Sequence, residues 1–395
     1  MKNILYAIFP LICSVATGDI WTQKGNFPAG NRLWPMSFEI NGLAYMGCGN
    51  DYNTGYKQDF WEYDAANDSW TQKADFGGGA RILTGFLING KGYAGLGGNG
   101  ISSFQDFWEY DPLSNTWVQK SDFTGGVGLS ITTSFTINNH GYVPVVNASG
   151  ISGIMEYEPV SDAWLQKANF PGIKFRNFAS FSIGNKGYVG SGTDSLTGWF
   201  CQYFWEYDQP SDAWTQKANF PGPGRCDATG ISILNKGYIG FGENNNYFSD
   251  FWEYDPQLNQ WTQKLSLPGI GRKACGAFSV GNKGYIVCGY ELKFGTIYTD
   301  VWEYNPDSTL LSGQEDLPGE VTLHVFPNPF RDNLTFNNLS ADQTELIISD
   351  NLSRKVMHTT FSRSVTINTR ELPIGNYFYE ATNKNGIKKG KILKQ

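Results

Sequence analysis

The side chains able to do chemistry in this sequence are few in kind and mostly repeated. Glutamate recurs in one phrase, at Glu62, Glu109, Glu156, Glu206, Glu253 and Glu303, and arginine recurs at Arg32, Arg81, Arg225 and Arg272, each 11 residues after a tryptophan. A general acid or base needs an environment unlike its neighbours'. Six equivalent glutamates share nearly the same one, so they read as scaffold hydrogen bonds or as partners of the lysines that follow. The arginines also read first as structural, with Arg176 one place out of step. Because they begin strands on the face that carries the variable loops, Arg225 and Arg272 could still offer donors to an anionic group. Of three histidines only His140 precedes residue 320, in a turn where solvation fits better than ligation. No cysteine pair has zinc spacing, no glycine loop leads into a phosphate-binding helix, and no Gly-x-Ser-x-Gly elbow is present. No cofactor and no metal are expected.

The start of the chain sets the compartment. After Lys2 comes an apolar run from Ile4 to Ala16, ending in Ser14-Val15-Ala16, which reads as a signal peptide over residues 1–16. The run is shorter than the roughly 20 residues a spanning helix needs, and no later segment is long and apolar enough, so no transmembrane segment is expected in the mature chain. Export permits disulfides. Cys201 and Cys226 fall in neighbouring units on one face and are a candidate pair. Cys275 and Cys288 are symmetric about the Gly281-Asn282 turn, which sets them opposite each other, to pair or simply to pack. Cys48 is then left as a buried free thiol. Net charge is −7, and residues 320–395 carry 10 Lys/Arg against 7 Asp/Glu, which leaves the preceding part at −10. An acidic body argues against a nucleic-acid partner.

These residues sit in a repeat. "DFWEYD" begins at Asp59, Asp106 and Asp250, with looser copies at Gly153, Tyr203 and Asp300. The second phrase places tryptophan at Trp21, Trp70, Trp117, Trp164, Trp214 and Trp261, spaced 47 to 50 residues apart. Between them lies a Gly-Tyr strand, preceded by an apolar strand and a tight turn such as Asn89-Gly90. Each unit is therefore four strands, A to D, and a period near 50 with four strands means a propeller blade. Inner strands crowd near an axis and carry glycine; outer strands diverge and carry tryptophan.

The pattern resembles the kelch repeat over residues 20–305. That resemblance implies an all-β, six-bladed propeller, in which the orphan "IWTQK" at Ile20–Lys24 completes a sixth blade that lacks its outer strand. The third unit departs, with "VPVVN" in place of the glycine pair. Kelch-like propellers include the galactose oxidases, but a copper site needs more propeller histidines than this chain has.

Residues 306–320 read as a linker, and 321–395 as a small β-sandwich. Its phrases "VFPNPF", "LPIGNYFYEA" and "GIKKGKILKQ" resemble the C-terminal sorting domain of the type IX secretion system of Bacteroidetes. The resemblance implies that the secretion machinery is its partner and that the protein ends up secreted or on the cell surface.

For the propeller two functions compete: a binding module for a glycan or a surface protein, and a metal-free carbohydrate-active enzyme resembling a sialic acid mutarotase. Repeated residues build blades, so specificity should come from the unrepeated loops between strands B and C. Their aromatics Trp199, Tyr56, Tyr247, Tyr290 and Phe294 would offer flat faces to sugar rings, with Glu243, Asn244, Asp194, Arg225 and Arg272 beside them as hydrogen-bonding groups. For the tail, a chain ending at residue 320 should accumulate in the periplasm of a native host, as read by fractionation and surface labelling. Surface display of that truncation would refute the role of the tail.

Overall fold

A computed structural model describes residues 19–126, 133–147, 150–172, 174–291, 295–306, 323–326, 332–338, 342–350, 354–373, 375–384 and 386–394. The leader, all but the first residue of the linker, and Phe294 lie outside them. The chain falls into two compact units, Met1–Thr309 and Leu310–Gln395.

Among the described residues the first unit contains no helix and six four-stranded antiparallel sheets. Sheet I is Met36–Ile40, Leu43–Gly47, Phe60–Asp64 and Ser69–Lys73, and sheet II is Ile82–Ile88, Lys91–Gly98, Phe107–Asp111 and Thr116–Lys120. Sheet III is Phe135–Ile137, His140–Asn147, Gly150–Glu158 and Ala163–Asn169, and sheet IV is Ala179–Ile183, Lys186–Gly190, Phe204–Asp208 and Ala213–Gln216. Sheet V is Thr229–Ile233, Lys236–Gly240, Phe251–Asp255 and Gln260–Lys264. Sheet VI joins Gly276–Val280, Lys283–Val287 and Val301–Asn305 to Ile20–Lys24, which runs in register from Ile20 opposite Asn305 to Lys24 opposite Val301. The first strands of successive sheets touch in cyclic order, and that of sheet VI touches that of sheet I.

Close approach explains the Gly-Tyr phrase. A Cβ at Gly92, Gly141, Gly187 or Gly237 would lie 2.0 to 2.3 Å from the ring of Phe38, Phe86, Phe135 or Phe181 of the preceding sheet. Only glycine lets the two sheets meet there. In the unit lacking the glycine pair, strand C is the longest of its kind, with nine residues, and strand B is bulged between Val145 and Val146.

Each residue of the "DFWEYD" phrase has a structural partner. Its tyrosine donates to an Asp or Asn five residues on, as Tyr110 to Asn115 (2.9 Å), Tyr157 to Asp162 (2.7 Å) and Tyr254 to Asn259 (2.9 Å). That acceptor also takes a backbone N–H from the preceding sheet: Asn115 from Ala74, Asp162 from Ser121, Asp212 from Ala168, Asn259 from Ala218. Two residues after the acceptor stands the strand D tryptophan, whose indole N–H reaches the carbonyl of the same partner residue: Trp117 to Ala74, Trp164 to Ser121, Trp214 to Ala168, Trp261 to Ala218. The N-terminal strand repeats the arrangement in sheet VI: Tyr304 and the Leu265 amide donate to Asp19, and Trp21 donates to the Leu265 carbonyl at 2.8 Å. Trp70 is the exception, its indole nitrogen buried outside hydrogen-bond geometry.

The repeated glutamates are scaffold. Each accepts from the strand B tyrosine at 2.5 to 2.8 Å, from Tyr45 to Glu62 round to Tyr285 to Glu303. Each also faces the strand D lysine at 3.2 to 4.0 Å, with Lys24 serving Glu303.

Four buried arginines tie strand A to strand C. Arg32 clasps Asp59 with two nitrogens (2.5 and 2.9 Å), Arg225 clasps Asp250 (2.5 and 2.8 Å), Arg272 clasps Asp300 (2.6 and 3.0 Å), and Arg81 meets Asp106 at 2.9 Å. The same aspartates accept the indole N–H of Trp61, Trp108, Trp252 and Trp302. Units three and four lack this aspartate, and their sheets lack the clasp; Arg176 is exposed. Burial opposes the charge of Asp59, but Arg32 more than offsets it and holds the carboxyl below its ordinary value.

The cysteine expectation is corrected. Cys48, Cys201, Cys226, Cys275 and Cys288 are all free thiols. Cys201 turns to the carbonyl of Trp199 and Cys226 to the carboxylate of Asp227, so the candidate pair is spent on local contacts. Cys288 has φ 59°, which takes it off the ladder that would have set it opposite Cys275. Its side chain packs with Phe278 and Val301, whereas Cys275 packs against the cluster of Trp21 and Ile231.

In the second unit a three-stranded sheet (Leu323–Phe326, Asn333–Asn338, Ser364–Asn368) and a four-stranded one (Lys355–Ser362, Gln343–Asp350, Gly375–Asn383, Gly386–Lys394) share one core that includes Leu334, Phe336, Leu346, Ile348 and Ile392.

Two outcomes follow. Asp250→Ala leaves the Arg225 charge buried and uncompensated and should cost about 3–5 kcal/mol, whereas Arg225→Met with Asp250→Leu should cost less than the single change; denaturant titration reads both. Alkylation of the denatured, unreduced mature chain should label all five thiols, as read by mass.

Candidate functional site

The innermost strands surround a cavity lined by small side chains, among them Ser37, Thr84, Ser134, Ser180 and Ala277. At its loop-bearing end the chain turns sharply at Trp34 (φ 48°), Asp227 (φ 50°) and Ala274 (φ 58°), each two residues after a buried arginine, and at Asn177 (φ 54°) in sheet IV's unit. Their backbones link in series: Asp227 donates to Asn177 at 3.0 Å, Ala274 to Asp227 at 3.4 Å, and Trp34 to Ala274 at 3.0 Å. Left-handed backbone is uncommon for a bulky residue such as Trp34 and marks a place the surroundings have fixed. All four residues line the cavity.

A charged network fills one side of this mouth. Lys273 Nζ lies 3.3 Å from Asp227 Oδ2 and in direct contact with Glu243 Oε1. Its ammonium also sits 5.3 Å from the centre of the Tyr290 ring. Burial works against the lysine charge, yet Glu243 and Asp227 outweigh it and hold the ammonium above the ordinary lysine value. Burial also raises the Asp227 carboxyl, against the pull of Lys273. The Trp34 indole N–H faces that carboxylate but falls short of hydrogen-bond geometry. The Cys226 thiol, pushed up to about 12 by burial, lies 3.9 Å from Asp227 Oδ2. Oxygens of Asp227 and Glu243 and the Cys226 sulfur lie within 4.8 Å of one another, a spacing that could hold a cation. The lysine ammonium already meets both carboxylates.

Of the residues expected to face a ligand, the structure brings Glu243 and Tyr290 into this network. Tyr290 is not an open platform: it is buried, packed edge-on against Trp34 at 5.9 Å. Arg225 and Arg272 are corrected from ligand donors to scaffold, because both are fully buried, bound to their aspartates, and stacked on Phe248 (4.0 Å) and Tyr298 (3.6 Å). Asp194 is the anchor of its own loop, accepting the amides of Leu196 and Thr197, which hold its carboxyl below the ordinary value. Asn244 donates to the Gly224 carbonyl and pins its loop at half-burial. Tyr56 and Tyr247 are half-buried, and Trp199 is 77% exposed. His140 bonds the carbonyl of Asn138 in its own turn.

Sequence reasoning missed Trp34, Asp227, Lys273 and the 54% exposed Tyr52, whose ring lies 6.5 Å from that of Tyr290. A signal for three of them existed. One and two places after the arginine stand Leu33-Trp34, Ile82-Leu83, Cys226-Asp227 and Lys273-Ala274, so the charged residues and the tryptophan are departures from an apolar position.

Comparison with known proteins divides along the same line as the chain. Residues 324–395 match the family described as the secretion system C-terminal sorting domain. This tail marks the protein for export by the type IX secretion system to the secreted or cell-surface location, and no helix among the described residues is long and apolar enough to cross a membrane. No curated protein matches the chain. Among solved structures, one described as the structure of YjhT is similar at 18% identity and a TM-score of 0.56, covering 70% of this chain and 96% of that one. At that identity the likeness is one of fold, a propeller-type arrangement of four-stranded sheets.

Proposed function

We propose that residues 20–305 are a six-bladed kelch-type propeller closed by the strand Ile20–Lys24, carried behind a cleaved leader over residues 1–16. A linker over residues 306–320 joins it to a tail, 321–395, recognised by the type IX machinery. The bonds of Asp19 and Trp21 to Leu265, equivalent to those between four other neighbouring pairs of units, support the closure. Deleting residues 17–25 would remove a whole edge strand with its clamp, and the thermal midpoint should fall sharply.

The function we propose is binding of a glycan on the loop-bearing face, without turnover. The observation that carries it is the open indole of Trp199, in the longest described B to C loop, on the same face as the exposed ring of Tyr52 and the partly exposed Glu243. Flat apolar faces beside a few fixed polar groups suit the two sides of a sugar ring. The floor beneath is rigid, built from buried ion pairs and left-handed turns. A second reading, a metal-free sugar enzyme of the mutarotase kind, draws on Asp227, since a buried carboxyl held above its ordinary value can keep a proton to give.

A glycan array with the mature propeller should identify a ligand. Trp199→Ala and Tyr52→Ala should each weaken it about tenfold, or about 1.4 kcal/mol, while Arg225→Lys should act on stability before affinity. If both aromatic variants bind the identified glycan as the parent does, this face is not the site. Turnover of the hit, lost in Asp227→Asn, would favour the second reading.

A further inference from the structure

Lys273, Asp227 and Glu243 form more than an ion pair. The amine and the Asp227 carboxyl start neighbouring sheets and are fixed by backbone bonds: Lys273 exchanges two with Tyr290, and Asp227 is tied to Asn177 and Ala274. Glu243 is held opposite Cys226 by a second pair of backbone bonds and reaches the same nitrogen. The walls are Trp34, Tyr290 and the Cys226 thiol, and Lys273 and Asp227 keep less than a tenth of their side-chain surface. A primary amine, a carboxyl 3.3 Å away and a second carboxyl that contacts the amine and lies within 4.8 Å of the first are the reactants and the proton carrier of an amide condensation.

We propose that Lys273 and Asp227 join in an intramolecular isopeptide bond, with Glu243 moving the protons. Glu243 accepts a proton from the ammonium and passes it to Asp227, leaving a neutral amine beside a neutral acid. The Nζ lone pair attacks Asp227 Cγ, and the C–N bond forms. Glu243 takes a further proton from that nitrogen and delivers it to the departing hydroxyl. The C–O bond breaks, and one water leaves. An ammonium and a carboxylate enter, an amide and a water result, and no oxidant or other reactant is needed.

Burial favours the neutral forms of acid and amine over the charged ones, while the two carboxylates hold the ammonium charged until Glu243 takes its proton. The Trp34 N–H, buried and short of a partner, faces the Asp227 carboxyl, on which one oxygen becomes negative in the tetrahedral intermediate. The bond would link residues 46 apart, fastening sheet V to sheet VI at the mouth. A cross-link of that span constrains the unfolded chain as a disulfide does, in an exported protein whose five cysteines are all free.

Intact mass of the full mature chain should fall short of the sequence mass by one water, and proteolysis should yield one branched peptide joining Asp227 to Lys273. Lys273→Met and Glu243→Gln should restore the full mass while still melting cooperatively, and Asp227→Asn should lose ammonia in place of water. A folded parent chain at full mass with unlinked peptides overturns the proposal. So does a water loss confined to a single linear peptide, as a succinimide at Asp227 would give. Complete cross-linking in Glu243→Gln overturns the proton-carrying role and with it the mechanism.

Discussion

The first unit depends on one contact repeated between neighbouring sheets. An Asp or Asn at the C to D turn, a tyrosine five residues before it and a tryptophan two residues after it together grip a single residue of the preceding sheet by both its N–H and its C=O. Each member is amphipathic. The tyrosine and tryptophan rings fill the widening gap between sheets, while their polar tips satisfy backbone groups that would otherwise be buried unpaired, at a cost of about 1–3 kcal/mol each. The left-handed backbone of the acceptor, φ about 50°, turns its carboxyl or amide towards the neighbour, a conformation that Asp and Asn tolerate better than most residues.

A unit assembled this way is only as secure as its weakest junction. Sheet VI begins near the end of the unit and borrows its outer strand from the start, and the borrowed strand brings the whole set: Asp19, Trp21 and Lys24. Ends that are far apart in sequence thus hold each other. Within each of four sheets a buried arginine adds a second tie, from the start of strand A to the aspartate that opens strand C. A buried arginine and its aspartate are present together or absent together, as buried charge requires. The two sheets without the pair adjoin each other, and one of them carries the bulged strands of the third unit.

So much of the repeat is spent on these ties that little of it is left to meet a ligand. Several departures from the pattern collect on the loop-bearing face: Trp34, Asp227, Lys273, Glu243 and Tyr290 at the mouth, Tyr52 and Trp199 further out.

Much was legible in the sequence because it is local or periodic. Four strands per unit follow from the recurrence of Trp, Gly-Tyr and Glu-Tyr at a fixed spacing, and the pairing of each glutamate with a following lysine was legible there too, whereas its bond from the strand B tyrosine was not. The sorting tail is written in contiguous phrases. Tertiary structure alone decided the rest, for reasons of direction and depth. Arg225 and Arg272 stand where a ligand-facing arginine would stand, and only packing shows them turned inward onto Asp250 and Asp300. Cys275 and Cys288 are symmetric about their turn, but a single positive φ sends one to each face of the sheet. The Asp227, Lys273 and Glu243 cluster comes from two sheets and a loop. No spacing rule links them, because the distance between side chains of different units is set by how the sheets pack, not by the chain that joins them.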